Sequence, residues 1–487
     1  MEIMPCYVAS RPETDGDELL VTSPADGGTV GRTVYASEAA VERAVAAAAA
    51  VANTAAALPA HVRAAALDHV SRRLSERADE AARLITAENG KPIKWARGEV
   101  SRAISTFRWA AEEARRFTGE MQRLDTDAAA TGRLALTRRV PKGPVLGISP
   151  FNFPLNLVAH KVAPAIAVGA PIVLKPAPAT PLSALLLGEI LAEVTEPDGP
   201  GTGLPAGMFS VIPIPNERAS ALVADPRLPV VSFTGSGPVG AQIQAAVPHK
   251  HVTLELGGNA AAVVCSDWSS PADLDWAATR IATFANYQAG QSCIAVQRVF
   301  VNADLYDSFV PQLLQKVKAL PTGDVLDETT EVGPVINGAA ADRIEAWVRE
   351  AEAAGATNLT GWNRSGTSID PVVLENVPAD AKVCVEEVFG PVLVVSPVES
   401  DAAALAAVND SAFGLQAGLF THNMQTAFTA LRTLQVGGVI VGDVPSYRAD
   451  QMPYGGVKGS GVGREGLRYA MDDYTDIRVM VLTGLDL

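Results

Sequence analysis

From Gly143 onward the chain repeats one pattern: a short apolar run, a turn, then a helical stretch. Residues 145–148, 172–174, 209–212 and 230–233 read as strands, with helices over 155–167 and 181–194 between the first three. This alternation confines the fold to the α/β class. Parallel strands cannot be joined by tight turns, so each connection becomes a crossover helix that packs on the sheet. A second series runs from about residue 257 to 443, with helices over 272–284, 306–320, 339–354 and 401–409 and short apolar strands between them. Two such series in 487 residues exceed a single core, so separate domains are expected, with the change at Leu256-Gly257-Gly258-Asn259.

The chain ahead of Gly143 is built differently. Residues 1–33 are rich in Pro, Gly and Asp and read as a surface wrap. Ser37 caps an Ala-rich helix through residue 57, and Glu38 in its first turn suits the positive helix end. Leu67, Val70, Leu74, Ala81 and Leu84 recur at helical spacing over 60–89, where Asn89-Gly90 is a stop signal. A third helix covers 94–118. Residues 123–139 begin polar and then alternate through Leu134 and Leu136 toward Val140, the pattern of an exposed hairpin suited to contact between chains. Residues 474–482 read as a closing strand.

Lys and Arg number 39 against 54 Asp and Glu, a net charge of −15 with no basic block. That balance argues against nucleic acid or an anionic membrane as partner. The longest apolar stretch, 157–174, holds His160, Lys161 and two prolines, so it reads as buried helix and strand and not as a membrane span. Cys6, Cys265, Cys293 and Cys384 lie far apart, without CxxC spacing or a Cys/His cluster. No disulfide framework and no metal site is therefore expected, and a reducing, cytoplasmic setting is. The first residues show no basic segment followed by an apolar run, so no secretory signal is expected.

Several strings carry chemistry. Gly235-Ser236-Gly237-Pro238-Val239-Gly240 follows a strand and opens a helix, with Pro238 suited to the first turn. Glycines there let backbone amides approach a pyrophosphate at the positive helix end, although they also suit a plain tight turn. Glu255 falls 20 residues past Gly235, where spacing alone assigns a carboxylate to a ribose. Lys175 ends the strand at 172–174, on the edge that lines the ligand crevice of open α/β sheets; a solvated loop lysine fits the same place. The stretch Asn286 to Cys293 sets one thiol between a Gly-Gln turn signal and the strand-like run 294–301. Helix-to-strand loops of this kind present reactive groups, yet a lone cysteine is more often an inert buried residue. Glu386-Glu387 ahead of Val388-Phe389-Gly390-Pro391 suits a solvated loop when taken alone. Residues 453–466 are Gly-dense, as expected of an ordered loop packed against a ligand or another backbone.

Read in order, the matching strings are Ser149-Pro150-Phe151-Asn152-Phe153-Pro154, Lys175-Pro176-Ala177, Phe233-Thr234-Gly235-Ser236, Leu254-Glu255-Leu256-Gly257-Gly258, Gly290-Gln291-Ser292-Cys293, Glu387-Val388-Phe389-Gly390-Pro391 and Pro453-Tyr454-Gly455-Gly456. Together they resemble the aldehyde dehydrogenase superfamily over nearly the whole chain. The resemblance implies a Rossmann-like cofactor domain (1–122 and 141–256) and an α/β catalytic domain (257–443), with 444–473 returning along the active site. It also implies a small β oligomerisation element (123–140 and 474–487) and a homodimer or homotetramer.

By the same resemblance Cys293 is the nucleophile, and the Asn152 amide with the Cys293 N–H forms the oxyanion hole. Glu255 becomes the base that activates water, displacing the ribose role that spacing gave it. Lys175 and Glu387 are implied to bind ribose hydroxyls, Ser236 the pyrophosphate and Phe389 the nicotinamide side. Ser149, Pro150, Phe151, Ala177, Pro178, Gly235 and Leu256 belong to the same cofactor cleft. Relatives that prefer NAD often carry Glu where this chain has Pro178, so NAD and NADP both fit.

The helix after Asn152 is implied to line the substrate tunnel with Phe153, Asn156, Leu157 and His160, near Ser292. With Arg448 at the tunnel wall and Arg108 on a helix able to approach its mouth, three potential cations suit a small anionic aldehyde. Such a substrate is of the phosphonate, phosphate, lactaldehyde or semialdehyde type, since 443–448 resembles the lactaldehyde and related short-chain subgroup. Two alternatives stand beside this reading. A CoA-acylating enzyme need not keep Glu255, and a non-catalytic nucleotide-binding or structural protein need not keep Cys293, Asn152 and Glu255 together.

Overall fold

The protein is described by a computed structural model covering residues 2–195, 203–484 and 486. The expected domain spans also include residues 1, 196–202, 485 and 487, which lie outside the described residues. An eight-stranded sheet runs in the order Arg11–Glu13, Cys6–Val8, Phe209–Val211, Ile172–Lys175, Val145–Ile148, Val230–Thr234, His251–Glu255, Gly461–Val462. Its five central strands are parallel, and antiparallel strands flank them on both sides. Chain order steps outward from Val145–Ile148 in both directions, so the sheet switches between that strand and Val230–Thr234, where open α/β sheets bind ligands. Register pairs Ile148 with Lys175, Phe233 with Ile148, and Thr234 with Glu255. Ser149, Lys175, Gly235 and Glu255 therefore leave the sheet from one edge.

A second, seven-stranded sheet runs in the order Thr357–Asn358, Val372–Glu375, Val392–Val398, Arg298–Asn302, Ala261–Val264, Gln416–Phe420, Gly438–Val441, parallel except for the first pair. Thr475–Thr483 pairs antiparallel with Arg133–Pro141, which also pairs with Met121–Arg123, so the expected hairpin gains the closing strand. Along that closing strand Ile477, Val479 and Val481 are 61%, 58% and 50% exposed, an uncovered apolar row on a sheet edge.

Local signals explain most helices. Ser37 accepts the Ala40 N–H at 3.1 Å and starts Glu38–Ala57. The stretch expected as one helix over 60–89 is two, Ala60–Glu76 and Ala78–Asn89, broken at Arg77. No Gly or Pro marks the break. Arg77 instead takes a non-helical φ of −105° while its guanidinium binds Glu80 and Glu189, so a tertiary contact sets the bend. The expected surface wrap at 1–33 is also corrected. Cys6–Val8 is buried and joins the first sheet through Tyr7 and Val211, because an apolar triplet gains more inside than outside. The run expected as a strand from 294 begins only at Arg298, leaving 294–297 in the loop that carries Cys293. Helix Asn156–Val168 is buried at all its positions, His160 and Lys161 included. Among the described residues no single helix is long and apolar enough to cross a membrane.

Candidate active site

Helix Pro271–Asn286 runs into three successive left-handed residues, Gln288 and Ala289 at φ 54° and Gly290 at φ 69°. Left-handed backbone at two non-glycine residues costs about 1–2 kcal/mol each, so neighbouring groups must hold it. Gln288 Nε2 donates to the Asn152 carbonyl. Gln291 Oε1 accepts the Ile336 N–H at 2.9 Å, and its amide donates to Gln288 O and Pro334 O. Gly290 cannot be replaced there, since a Cβ would lie 2.1 Å from Gly390 O. The loop delivers Cys293 half-buried, with Sγ 2.9 Å from the Tyr454 hydroxyl. Burial pushes the thiol up to about 12, and the bond to Tyr454 pulls the other way. Asn152, itself buried, donates Nδ2 to Gln291 O at 3.0 Å, which ties its amide to the cysteine loop.

Glu255 ends its strand with both carboxylate oxygens buried and without a hydrogen-bond partner among the described residues. Burial and then the charge of Glu465 push it well above the ordinary carboxylate range, against Arg448 and Lys161. Gly455 passes so close that a Cβ would lie 2.9 Å from Glu255 Oε1. Lys161 Nζ donates to Thr234 Oγ1 at 2.7 Å and to Ser232 Oγ at 3.2 Å, and lies 3.4 Å from Glu465 Oε1. Arg448 Nη2 donates to Glu465 Oε2 at 3.0 Å. Burial alone would raise Glu465, but Lys161 and Arg448 overcome it and hold Glu465 down to about 2. The two neighbouring carboxyls are thus pushed in opposite directions, the split that acid–base sites use. Sequence reasoning missed Lys161 and Glu465. Lys161 did leave a signal, a cation inside a helix with no polar face, which must find a buried partner.

Along this sheet edge the available groups fit a dinucleotide. Ser149 Oγ is buried without a partner among the described residues. Ser236 caps helix Gly237–Ala246 in extended backbone but makes no capping bond of its own, leaving the helix end for an anion. A Cβ on Gly237 would meet nothing within 4 Å, so that helix start is open. Lys175 donates to Asn216 Oδ1 at 2.9 Å, and burial lowers it to about 8. Ala177 and Pro178 lie half-buried just beyond it, as does Pro150 beyond Ser149. Glu387 accepts the Gly258 N–H at 3.0 Å and lies across Gly257, where a Cβ would fall 2.1 Å from its oxygen. Burial pushes Glu387 up to about 7. Phe389 adopts φ 49° and meets Phe151 edge-on at 5.8 Å, while the Leu256 N–H donates to Ser460 O. Gly235 donates its N–H to Glu255 O at 3.0 Å.

Elsewhere in the site, Asp450 Oδ1 collects three donors: Arg102 Nη2 at 2.9 Å, Asn156 Nδ2 at 3.3 Å and His160 Nε2 at 2.9 Å. Phe153 lies under Lys91 Nζ, 4.0 Å from the ring centroid, with the Arg102 guanidinium 6.0 Å away. Ser292 Oγ accepts the Tyr287 hydroxyl at 2.7 Å. The Arg448 guanidinium sits 3.7 Å from the centroid of the Tyr454 ring.

Two of the three expected cations therefore change standing. The structure does not bring Arg108 to this group; it is exposed, with its guanidinium 5.6 Å from the Trp109 ring centroid. Six residues turn a helix by about 240°, so Arg102 on helix Ile93–Arg116 reaches Asp450 where Arg108 faces out. His160 is held toward its neutral form by burial and then by Arg448, with Asp450 opposing.

Comparison with known proteins identifies the family. The model of the aldehyde dehydrogenase family matches residues 11–480. The 3-sulfolactaldehyde dehydrogenase of Priestia aryabhattai is 42% identical over 410 residues, 84% of this chain and 83% of that enzyme. Aldehyde dehydrogenase 21 of Physcomitrella patens, solved with its reaction product succinate, superposes with a TM-score of 0.95 at 43% identity, covering 100% of this chain and 99% of that one. The NADP-dependent glyceraldehyde-3-phosphate dehydrogenase of Bacillus halodurans, solved with NADP, gives a TM-score of 0.93 at 32% identity over 99% and 100% of the two chains. With the family model spanning nearly its whole length, the chain belongs to the aldehyde dehydrogenase family and is an NAD(P)-dependent aldehyde dehydrogenase.

Proposed function

We propose that this enzyme oxidises a small anionic aldehyde to the free acid through a covalent bond to Cys293. The observation that carries the reading is one grouping: the Cys293 sulfur, an Asn152 amide tied to the same loop, and a buried Glu255 carboxyl whose charge acts on that sulfur and which has no hydrogen-bond partner among the described residues. The thiolate adds to the aldehyde carbon and makes the C–S bond. The carbonyl oxygen then carries negative charge, which the second N–H of the Asn152 amide and the Cys293 N–H would receive. When bound, the dinucleotide supplies the hydride acceptor; Ser149, Lys175, Ser236, Glu387 and Phe389 would hold it. The resulting thioester is opened by water, whose proton passes to Glu255 as the C–O bond forms and the C–S bond breaks. Since Pro178 brings no carboxylate against a 2′-phosphate, NAD and NADP are both accepted.

The anionic substrate is supported by Arg102 and Arg448, each of which keeps a buried Nε–H without a partner among the described residues. Two of the compared enzymes are named for a sulfonate and a phosphate and the third was solved with a dicarboxylate product, and the shared feature is a fixed negative charge. A panel of propionaldehyde, 3-sulfolactaldehyde, succinate semialdehyde and glyceraldehyde 3-phosphate, run with both cofactors and with and without CoA, tests the class. One anionic aldehyde is expected to exceed propionaldehyde in kcat/KM without any need for CoA. Arg102→Leu is expected to lower that kcat/KM about 10–100-fold, the worth of a charged hydrogen bond, while leaving propionaldehyde within threefold. Equal loss on both substrates would contradict the assignment.

The same reading divides the chain at the boundaries given above and makes 123–140 with 474–487 the element that joins subunits into a homodimer or homotetramer. The exposed row Ile477, Val479 and Val481 on a sheet edge supports this, since such edges associate unless blocked. The double variant Ile477→Lys/Val479→Lys is expected to run as a monomer by light scattering. An unchanged assembly would put the interface elsewhere. A reducing cytoplasm suits the four free cysteines.

A further inference from the structure

We propose that Tyr454 is a further catalytic residue, whose hydroxyl donates a hydrogen bond to the Cys293 sulfur and holds it as the anion that attacks. The proposal rests on the reading of Cys293 as nucleophile. It gives a role to the Gly-dense loop at 453–466, which stands out in the sequence and has no task in the steps above.

The hydroxyl lies 2.9 Å from Sγ, and each atom is the other's sole hydrogen-bond partner among the described residues. The phenol cannot swing away. Its backbone exchanges two hydrogen bonds with Glu465, Tyr454 N to Glu465 O at 3.0 Å and Glu465 N to Tyr454 O at 2.7 Å. The Arg448 guanidinium lies 3.7 Å from the ring centroid and is itself anchored on Glu465. The sulfur packs with Ile294, Leu415 and Tyr454, surroundings that oppose a charge. An O–H donor aimed at the sulfur is worth most when the sulfur is ionised, because a charge-assisted bond is about twice as strong as a neutral one. A cation on the ring face makes the phenol a better donor. The thiol proton leaves to solvent, Tyr454 keeps its own, and the bond weakens once the sulfur lone pair forms the C–S bond. If the ring served packing alone, phenylalanine would do as well.

The test is the pH profile of Cys293 alkylation by iodoacetamide in the full-length enzyme, with Cys293→Ser as the baseline for labelling at half-buried Cys384. In Tyr454→Phe the midpoint is expected to rise by about one pH unit, with labelling at pH 7 falling about 10-fold and cofactor KM within twofold. A profile superimposable on wild type would overturn the proposal. If Tyr454→Phe loses its cooperative melt, 3-fluorotyrosine placed at 454 keeps the volume and gives a more acidic hydroxyl. The midpoint should then fall, and an unmoved midpoint overturns the proposal. Turnover that survived Cys293→Ser would instead sink the nucleophile reading beneath it.

Discussion

Glu255→Gln is expected to release one equivalent of NAD(P)H per active site and then stop, with steady-state turnover lower by about 10³ or more. The amide keeps the volume and cannot take a proton from water, so the enzyme is left as its thioester. The same variant reads the electrostatics. In the folded protein Glu255 is held well above the ordinary carboxylate range, by burial first and Glu465 second. A group whose folded pKa is raised lends stability below its unfolded pKa and loses it as pH rises through the folded value. Wild type should therefore lose thermal stability toward alkaline pH more steeply than Glu255→Gln, as differential scanning fluorimetry would show. As a base Glu255 works only after losing its proton, so hydrolysis should quicken over that same rise in pH. A Glu255→Gln enzyme with undiminished steady turnover would remove Glu255 from the water step.

Cys293→Ser is expected to lower kcat on the order of 10⁴-fold while leaving cofactor affinity, read by titration calorimetry, within twofold. Serine is nearly the same size, so the loop with Gln288, Ala289 and Gly290 in left-handed backbone should persist. What is lost is acidity and nucleophilicity. A half-buried thiol pushed up to about 12 can still ionise beside a phenol and a guanidinium, whereas an alkyl hydroxyl in that place cannot. The variant should show neither burst nor turnover, in contrast to the single burst of Glu255→Gln.

The fold was legible because its signals are local. Strand–turn–helix alternation specified two parallel sheets, and Ser37, Gly90 and the glycines at 235–240 marked element ends. The bend at Arg77 was not legible, because its cause is a carboxylate on another helix, Glu189. The site divides in the same way. Asn152 and Cys293 were readable as motif strings, and the structure ties them together through Gln291. The electrostatics were not readable. Whether His160 and Arg448 count as free cations depends on Asp450 and Glu465, which stand 290 residues from His160 and 17 from Arg448. Whether Arg102 or Arg108 reaches Asp450 depends on helix phase, and spacing from the motifs does not carry that. A carboxylate's partner is a fact of folding, and no string around Glu255 states that it has none among the described residues.

The central claim, a covalent acyl bond to Cys293 that Glu255 helps to hydrolyse, is tested most directly by mass spectrometry. Glu255→Gln enzyme is mixed with an accepted aldehyde and cofactor, quenched in acid and digested. The peptide containing Cys293 is expected to gain the mass of the aldehyde less two hydrogens, in step with the NAD(P)H released. A burst of NAD(P)H with that peptide unmodified would contradict the account.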